Sequence, residues 1–439
     1  MSIWNQEFET MCRNDLRQLQ LERLKAVVER AAHTSPLYQH RLAEAGIKAE
    51  NIRHLEDIAQ LPFTTKSDLR DYYPWGLLNV PLREVVRVHA SSGTTGKPVV
   101  VGYTRADMAM WAEVMARSLT AIGITPDDIL QNAFGYGLFT GGLGYQLGAE
   151  TIGASVVPIS AGLTHRQITL LQDFGATVLT CTPSYALVIA EEAAALGIDI
   201  RERFKLRIGV FGAEPWTEKM RTEMEAALNL SAYNLYGLTE LIGPGVSVEC
   251  EHRQGLHIFE DHFYPEIIDP ATGQPLGYGV EGELVLTNLT KEATSVIRYR
   301  THDRTTLYAE KCACGRTLVR MDKVLGRTDD MMIVRGVNVF PSQVEQVLLG
   351  FKEIQPYYQI IIDRPRHELD TIEIRVEAEE SLFTPVETDH IPTLQHKIEC
   401  WMRDALLIHA TVKLVKPRTI ERTVTGKTIR VIDRRQLDK

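Results

Sequence analysis

The segment SSGTTGKPV, Ser91–Val99, sets two glycines, four hydroxyl side chains and one lysine directly after the apolar run VVRVHA. Those residue types suit a loop that holds anionic oxygen. Gly93 and Gly96 permit sharp turns and close approach, the amides and hydroxyls of Ser91, Ser92, Thr94 and Thr95 donate, and Lys97 adds positive charge. The loop is not a Walker A motif, because only two residues separate Gly93 from the Gly96–Lys97 pair and Pro98 follows the lysine. Its plain structural alternative is a solvated turn between two strands.

Four further segments occur in order along the chain: YGLTE at Tyr236–Glu240, YRTHD at Tyr299–Asp303, GRTDD at Gly326–Asp330 and TGKTIR at Thr425–Arg430. With the loop, this series resembles the adenylate-forming superfamily of acyl-CoA ligases. The longer runs PFTTKSDLRDYYP, FGYGLFTGGLG, EDHFYPEIIDP, LTKEATSVIRYR and IVRGVNVFPSQVE resemble the phenylacetate-CoA ligases within it, from about Leu61 to Arg435. The chemistry implied is activation of a carboxylate with ATP as an acyl-AMP anhydride, then transfer to coenzyme A. Phosphoryl chemistry of this kind depends on positioning and counter-charge.

The resemblance implies a role for each matching residue. The loop from Ser91 to Lys97 would cover the β and γ phosphates, while Ala213, Glu214 and Pro215 of GAEP would line the adenine pocket. In YGLTE, Tyr236 would stack on adenine, Gly237 would adjoin both nucleotide and acid, Thr239 would donate to the α-phosphate and Glu240 would ligate Mg²⁺. Asp303 would accept from the ribose hydroxyls, although His302 and Arg304 stand where the family more often has Arg and Leu. Arg327 would contact ribose or phosphate, Asp329 would be the hinge of a mobile C-terminal domain, and Lys427 would be the catalytic cation. Rotation about Asp329 would then open a path for the CoA thiol. Tyr136 and Gly212 would line an acyl pocket for an aryl acid, with phenylacetate foremost. Alone, YGLTE also reads as a helix cap, Lys97 as a surface charge and Tyr136 as a core aromatic.

Cys312 and Cys314 form a CAC pair followed by Gly315, and Cys250 with His252 or His257 falls in the same stretch of strands. The set Cys250, His257, Cys312 and Cys314 is expected to form a structural tetrahedral zinc site, against the alternative of unrelated reduced thiols. Such a site would stabilise the region before the hinge rather than take part in acyl transfer.

The elements that must carry these residues are read from pattern. Apolar helical spacing runs from about Glu7 to Ala45, and Thr65 with Ser67 and Asp68 marks a helix start. From VVRVHA to Leu228 short β-branched runs alternate with helical stretches, which predicts βαβ units and a mainly parallel sheet. After Glu249 turn-separated strands predict an antiparallel sheet or small barrel. Beyond Arg327 the chain reads as a compact α+β unit. The fold class expected is therefore α/β, with an N-terminal domain over 1–328 and a small mobile C-terminal domain over 329–439.

A length of 439 residues exceeds one hydrophobic core, and 44% apolar residues are enough to fold it. The net charge of −9 speaks against a nucleic-acid surface. No apolar run approaches a membrane span, so a cytoplasmic enzyme is expected. By resemblance its partners are ATP, CoA and an aryl acid, and the family expectation is a homodimer. Two rivals stay open: loading of a carrier-protein phosphopantetheine in place of CoA, and a noncatalytic nucleotide-binding protein on this scaffold.

Overall fold

A computed structural model describes the chain apart from residues 1, 92–96, 329–331, 335–336, 364–369, 385–389, 407, 422–429 and 436–439. It divides into two compact units, residues 1–215 with 223–324, and residues 216–222 with 325–439.

The first unit opens with helices Arg13–Thr34 and Pro36–Ala45, split where Pro36 starts the second. The hairpin of β1 (Arg87–Ala90) and β2 (Val100–Tyr103) brackets the SSGTTGKPV sequence. Then follow β3 (Ile129–Asn132), β4 (Ser155–Val157), β5 (Val178–Cys181), β6 (Ile208–Phe211) and β7 (Ser231–Leu238). Helices Arg105–Ala121, Gly141–Ile152, Thr164–Asp173 and Pro183–Ala195 lie between these strands in the chain. Strands β4, β3, β5, β6 and β7 pair in parallel in that order, as the βαβ rhythm predicts. Strands β5 and β6 are buried at every position, the pattern of a sheet covered on both faces.

Strand β7 is the pivot of this sheet. It runs parallel to β6 on one side and antiparallel to β8 (Gly243–Glu249) on the other. The sheet continues through β9 (Leu256–Ile258), β13 (Arg320–Met321), β12 (Tyr299–Tyr308) and β11 (Glu281–Asn288) to β10 (Phe263–Ile268). The antiparallel strands expected after Glu249 thus begin one strand earlier and extend the parallel sheet. Ligands of open parallel sheets sit beyond the carboxyl ends of the strands, and β7 carries YGLTE past its own carboxyl end.

The second unit holds β14 (Gly326–Arg327), then a hairpin of β15 (Met332–Val334) and β16 (Val337–Val339). Strands β17 (Ile354–Asp363), β18 (Thr371–Ala378), β19 (Thr411–Val415) and β20 (Val431–Asp433) form a sheet in the order β19-β18-β17-β20. Helices Pro341–Leu348 and Ile391–Leu406 contribute Val344, Val347, Ile398 and Met402 to its core, with Ile360, Ile374 and Val412 from the strands. This is the compact α+β unit expected.

Candidate active site

Past the end of β7 the chain turns through Thr239 and Glu240. At Gly237 the backbone runs so close to β8 that an added Cβ would lie 2.0 Å from the Gly243 carbonyl oxygen, so glycine is needed there. Gly212, after β6, is as tightly held: its Cβ would meet the Leu235 carbonyl oxygen at 2.3 Å.

Opposite this turn, Asp303 is delivered by an irregularity in β12. Glu283 pairs with Arg304 while Val285 pairs with Arg300, so residues 301–303 bulge past a single partner. His302 takes a left-handed φ of 63° within the bulge, and Thr301 Oγ1 accepts from the Asp303 N–H at 3.0 Å. Bulges re-aim side chains next to active sites. Here the Tyr236 hydroxyl donates to Asp303 Oδ2 at 2.6 Å. The charge-assisted bond fixes the ring and the carboxylate together.

Glu240 is buried, and its Oε1 lies 3.2 Å from the Lys66 ammonium. Lys66 opens the helix Lys66–Asp71, where Thr65 accepts from the Asp68 N–H and Asp68 accepts from the Thr65 N–H, the helix start expected. A second lysine, Lys291, is fully buried; its ammonium has no hydrogen-bond partner among the described residues and lies 4.3 Å from the Tyr103 ring centroid. Burial lowers its pKa to about 8, against the opposing charges of Asp107 and Glu240. Asp107 accepts from the N–H groups of Glu292 and Ala293, which anchors the backbone beside Lys291. Sequence reasoning missed both lysines. PFTTKSDL signals only a helix start, and nothing local announces that Lys66 meets a glutamate so distant in the chain.

The glycine-rich segment reaches the YGLTE turn through Thr140, whose Oγ1 lies 3.5 Å from Thr239 Oγ1. The Tyr136 hydroxyl accepts from Asn132 Nδ2 at 2.9 Å, and burial pushes its pKa up to about 12, so the phenol stays neutral. Ala213 is exposed with φ 69°. Glu214 Oε1 accepts from the Ser184 N–H at 2.7 Å at the start of helix Pro183–Ala195, so this carboxylate also serves the helix end. Pro215 follows it, exposed. Ser91 Oγ accepts from the Val99 N–H at 3.0 Å and closes the neck of the loop. Lys97 Nζ stands 5.6 Å from the Tyr73 ring centroid. Arg327 is half-buried on β14. Ser92, Gly93, Thr94, Thr95, Gly96, Asp329 and Lys427 lie outside the described residues.

A separate cluster gathers Cys250 just after β8, His257 on β9, and Cys312 and Cys314 from the loop between β12 and β13. All four are buried, with ligand atoms within 4.8 Å of one another. Cys250 and Cys312 sulfurs are 3.7 Å apart, and Cys314 Sγ is 3.5 Å from His257 Nε2. A tetrahedral zinc with ordinary Zn–S and Zn–N bonds requires edges of about 3.8 and 3.5 Å. The hydrogen bond with Cys250 and the neighbouring His257 hold the Cys314 thiol well below its ordinary range, while that bond and burial push Cys250 up. Of His252 and His257, the latter is the one in the cluster.

Residues 16–289 match the AMP-binding enzyme family, and residues 336–435 match the AMP-binding enzyme C-terminal domain. A protein of Thermus thermophilus named phenylacetate-coenzyme A ligase is 50% identical to the chain, over 99% of this chain and 100% of its own. The chain belongs to the phenylacetate-CoA ligases, within the AMP-binding enzymes. Among solved structures, 2-hydroxyisobutyryl-CoA ligase in the postadenylation state with 2-HIB-AMP is similar at a TM-score of 0.90 and 30% identity, covering 99% of this chain and 92% of that one. The same ligase with 2-HIB-AMP and CoA in the thioesterification state gives a TM-score of 0.72 at 30% identity, covering 97% and 91%. No helix among the described residues is long and apolar enough to cross a membrane.

Proposed function

We infer that this protein is an AMP-forming acid–thiol ligase that converts phenylacetate, ATP and CoA to phenylacetyl-CoA, AMP and pyrophosphate. The observation that carries this reading is the Tyr236–Asp303 bond near the carboxyl end of β7, with Thr239 and Glu240 in the turn that follows, in a chain 50% identical over 99% of its length to a phenylacetate-coenzyme A ligase. Asp303, held by Tyr236 and the β12 bulge, accepts from the ribose hydroxyls. Thr239 donates to the α-phosphate. Tyr136 and the glycines around it bound a flat, apolar acid site. Lys427 bridges the substrate carboxylate and the α-phosphate, where negative charge builds as the acid oxygen attacks phosphorus and pyrophosphate departs. The thiol then attacks the carbonyl and AMP leaves. One cation cannot occupy that face in both half-reactions, so a domain over 329–439 turns about Asp329 between them.

Glu240 is the residue that would hold Mg²⁺; a buried carboxylate oxygen suits a hard cation that shares its shell with ATP phosphates. The cation supplies counter-charge to the triphosphate. The sulfur and nitrogen spacings support Cys250, His257, Cys312 and Cys314 as a structural zinc site. A homodimer is carried over from the family resemblance, and a cytoplasmic setting from the hydropathy pattern of the sequence.

The test is a panel of aromatic acids scored for AMP release with and without CoA, with thioester detected directly. CoA-dependent turnover highest with phenylacetate is expected. Release of AMP with transfer only to carrier-protein phosphopantetheine would favour the carrier rival, and no pyrophosphate exchange with any acid would leave only the noncatalytic one.

A further inference from the structure

Two lysines bear on Glu240 with unequal freedom, Lys66 by direct contact and Lys291 through its charge alone. Lys291 is wholly buried, and its neighbouring backbone is fixed by Asp107, so its side chain has no room to swing away. Lys66 contacts the carboxylate directly, yet its side chain keeps 36% of its surface exposed against 6% for Glu240. A lysine stem is flexible, and its ammonium is a compact charge with three rotatable donors. A nearly buried carboxylate needs a counter-charge at all times. Lys66 provides one that can be removed, and Lys291 provides one that stays.

The inequality has a use if Glu240 is the metal carboxylate, and the role of Lys66 rests on that reading. A divalent cation arriving with ATP repels an ammonium 3.2 Å from the same oxygen, while the triphosphate offers that ammonium several anionic acceptors. We propose that Lys66 is a triphosphate-binding residue that exchanges partners. It neutralises Glu240 before nucleotide arrives, cedes that oxygen to the metal, and then pairs with a phosphate oxygen of metal-bound ATP. No covalent bond changes; one ion pair is traded for a metal–carboxylate contact and a new ion pair. Lys291 stays buried throughout.

The experiment is calorimetric binding of ATP to the full chain, without acid or CoA, across a Mg²⁺ titration. It compares wild type, Lys66→Gln, Lys66→Met and Lys66→Arg. Loss of a charge-assisted contact predicts Mg²⁺–ATP binding about ten-fold weaker in both neutral variants and within about three-fold of wild type in Lys66→Arg. Because the competitor for Glu240 is gone, the neutral variants should also need less Mg²⁺ for half-maximal ATP binding. Lys66→Met keeps the stem, so a folding defect confined to Lys66→Gln does not stop the comparison. Neutral variants that bind Mg²⁺–ATP as wild type does would overturn the proposal. So would weaker binding with an unchanged or raised Mg²⁺ requirement, which would make Lys66 a fixed contact. A wild-type chain that binds no Mg²⁺–ATP would instead be the failure of the nucleotide reading itself.

Discussion

At the scale of single residues, one hydrogen bond ties two strands of the site together. Tyr236 and Asp303 come from strands far apart in the chain, and their bond at 2.6 Å fixes an aromatic face and a carboxylate together, the pair proposed to meet the nucleotide. A hydrogen bond to a charged group contributes about 1.5–3 kcal/mol, so Tyr236→Phe should raise KM for ATP roughly ten-fold. The ring remains, so kcat should fall less. Steady-state kinetics with ATP varied check this, and an unchanged KM would show that Asp303 finds its orientation from the β12 bulge alone. The cluster of Cys250, His257, Cys312 and Cys314, proposed to hold zinc, makes its own prediction. Metal bound by these four groups contributes folding free energy, so Cys314→Ser should release zinc to a chromogenic chelator and lower the melting temperature by several degrees, with KM for ATP unchanged. Wild-type protein purified with no bound metal, and melting alike with and without added zinc, would leave the cluster as four packed side chains.

At the scale of elements, what is legible in the sequence is what local pattern encodes. The βαβ rhythm, the Thr65 helix start and the α+β character of the chain beyond Arg327 all correspond to observed elements, because periodicity and capping act over a few residues. The pivot at β7 is not legible: one strand pairing in parallel on one side and antiparallel on the other is a long-range event. The bulge that delivers Asp303 is equally hidden, since its cause lies in the register of β11 against β12. Lys66 and Lys291 are hidden for the same reason, whereas the cysteines are readable because CAC brings two ligands by itself. Packing between elements also leaves a pH signature. Arg117 of helix Arg105–Ala121 bonds Asp261 at 2.8 Å, both fully buried. Burial opposes ionisation of Asp261, but the charges of His262, Arg117 and Arg23 outweigh it and lower its pKa. Asp128, bonded to Arg207, Thr177 and Thr125, is lowered too, again against burial. A depressed carboxylate stabilises the fold above its unfolded pKa and loses that contribution as pH falls through the folded one. The melting temperature should therefore be level from pH 7 to about 5 and drop below about pH 4. Asp261→Asn should melt lower at pH 7 and decline less steeply in acid; a parallel decline would exclude this pair as a source of the acid slope.

At the scale of the whole molecule, adenylation and thiolation make opposite demands on one face of the acyl group. The first needs a cation against the developing charge, and the second needs that face open to a thiol. If Lys427 serves only the first, the two half-reactions are separable by a single substitution. Lys427→Ala should then reduce pyrophosphate exchange by about 10²–10³-fold, the usual cost of losing one preorganised electrostatic contact. The same variant should form thioester from supplied phenylacetyl-AMP and CoA at close to the wild-type rate. The melting temperature serves as the control for folding and should not move. The informative quantity is the ratio of the two losses rather than either alone. A uniform loss would mean that Lys427 holds the nucleotide in both steps, and that the second unit need not change place between them. A large loss in the first step with the second spared would instead require that, once pyrophosphate has gone, other groups of the chain present the acyl-adenylate to the thiol, and the segment 336–340 is the first place to look for them.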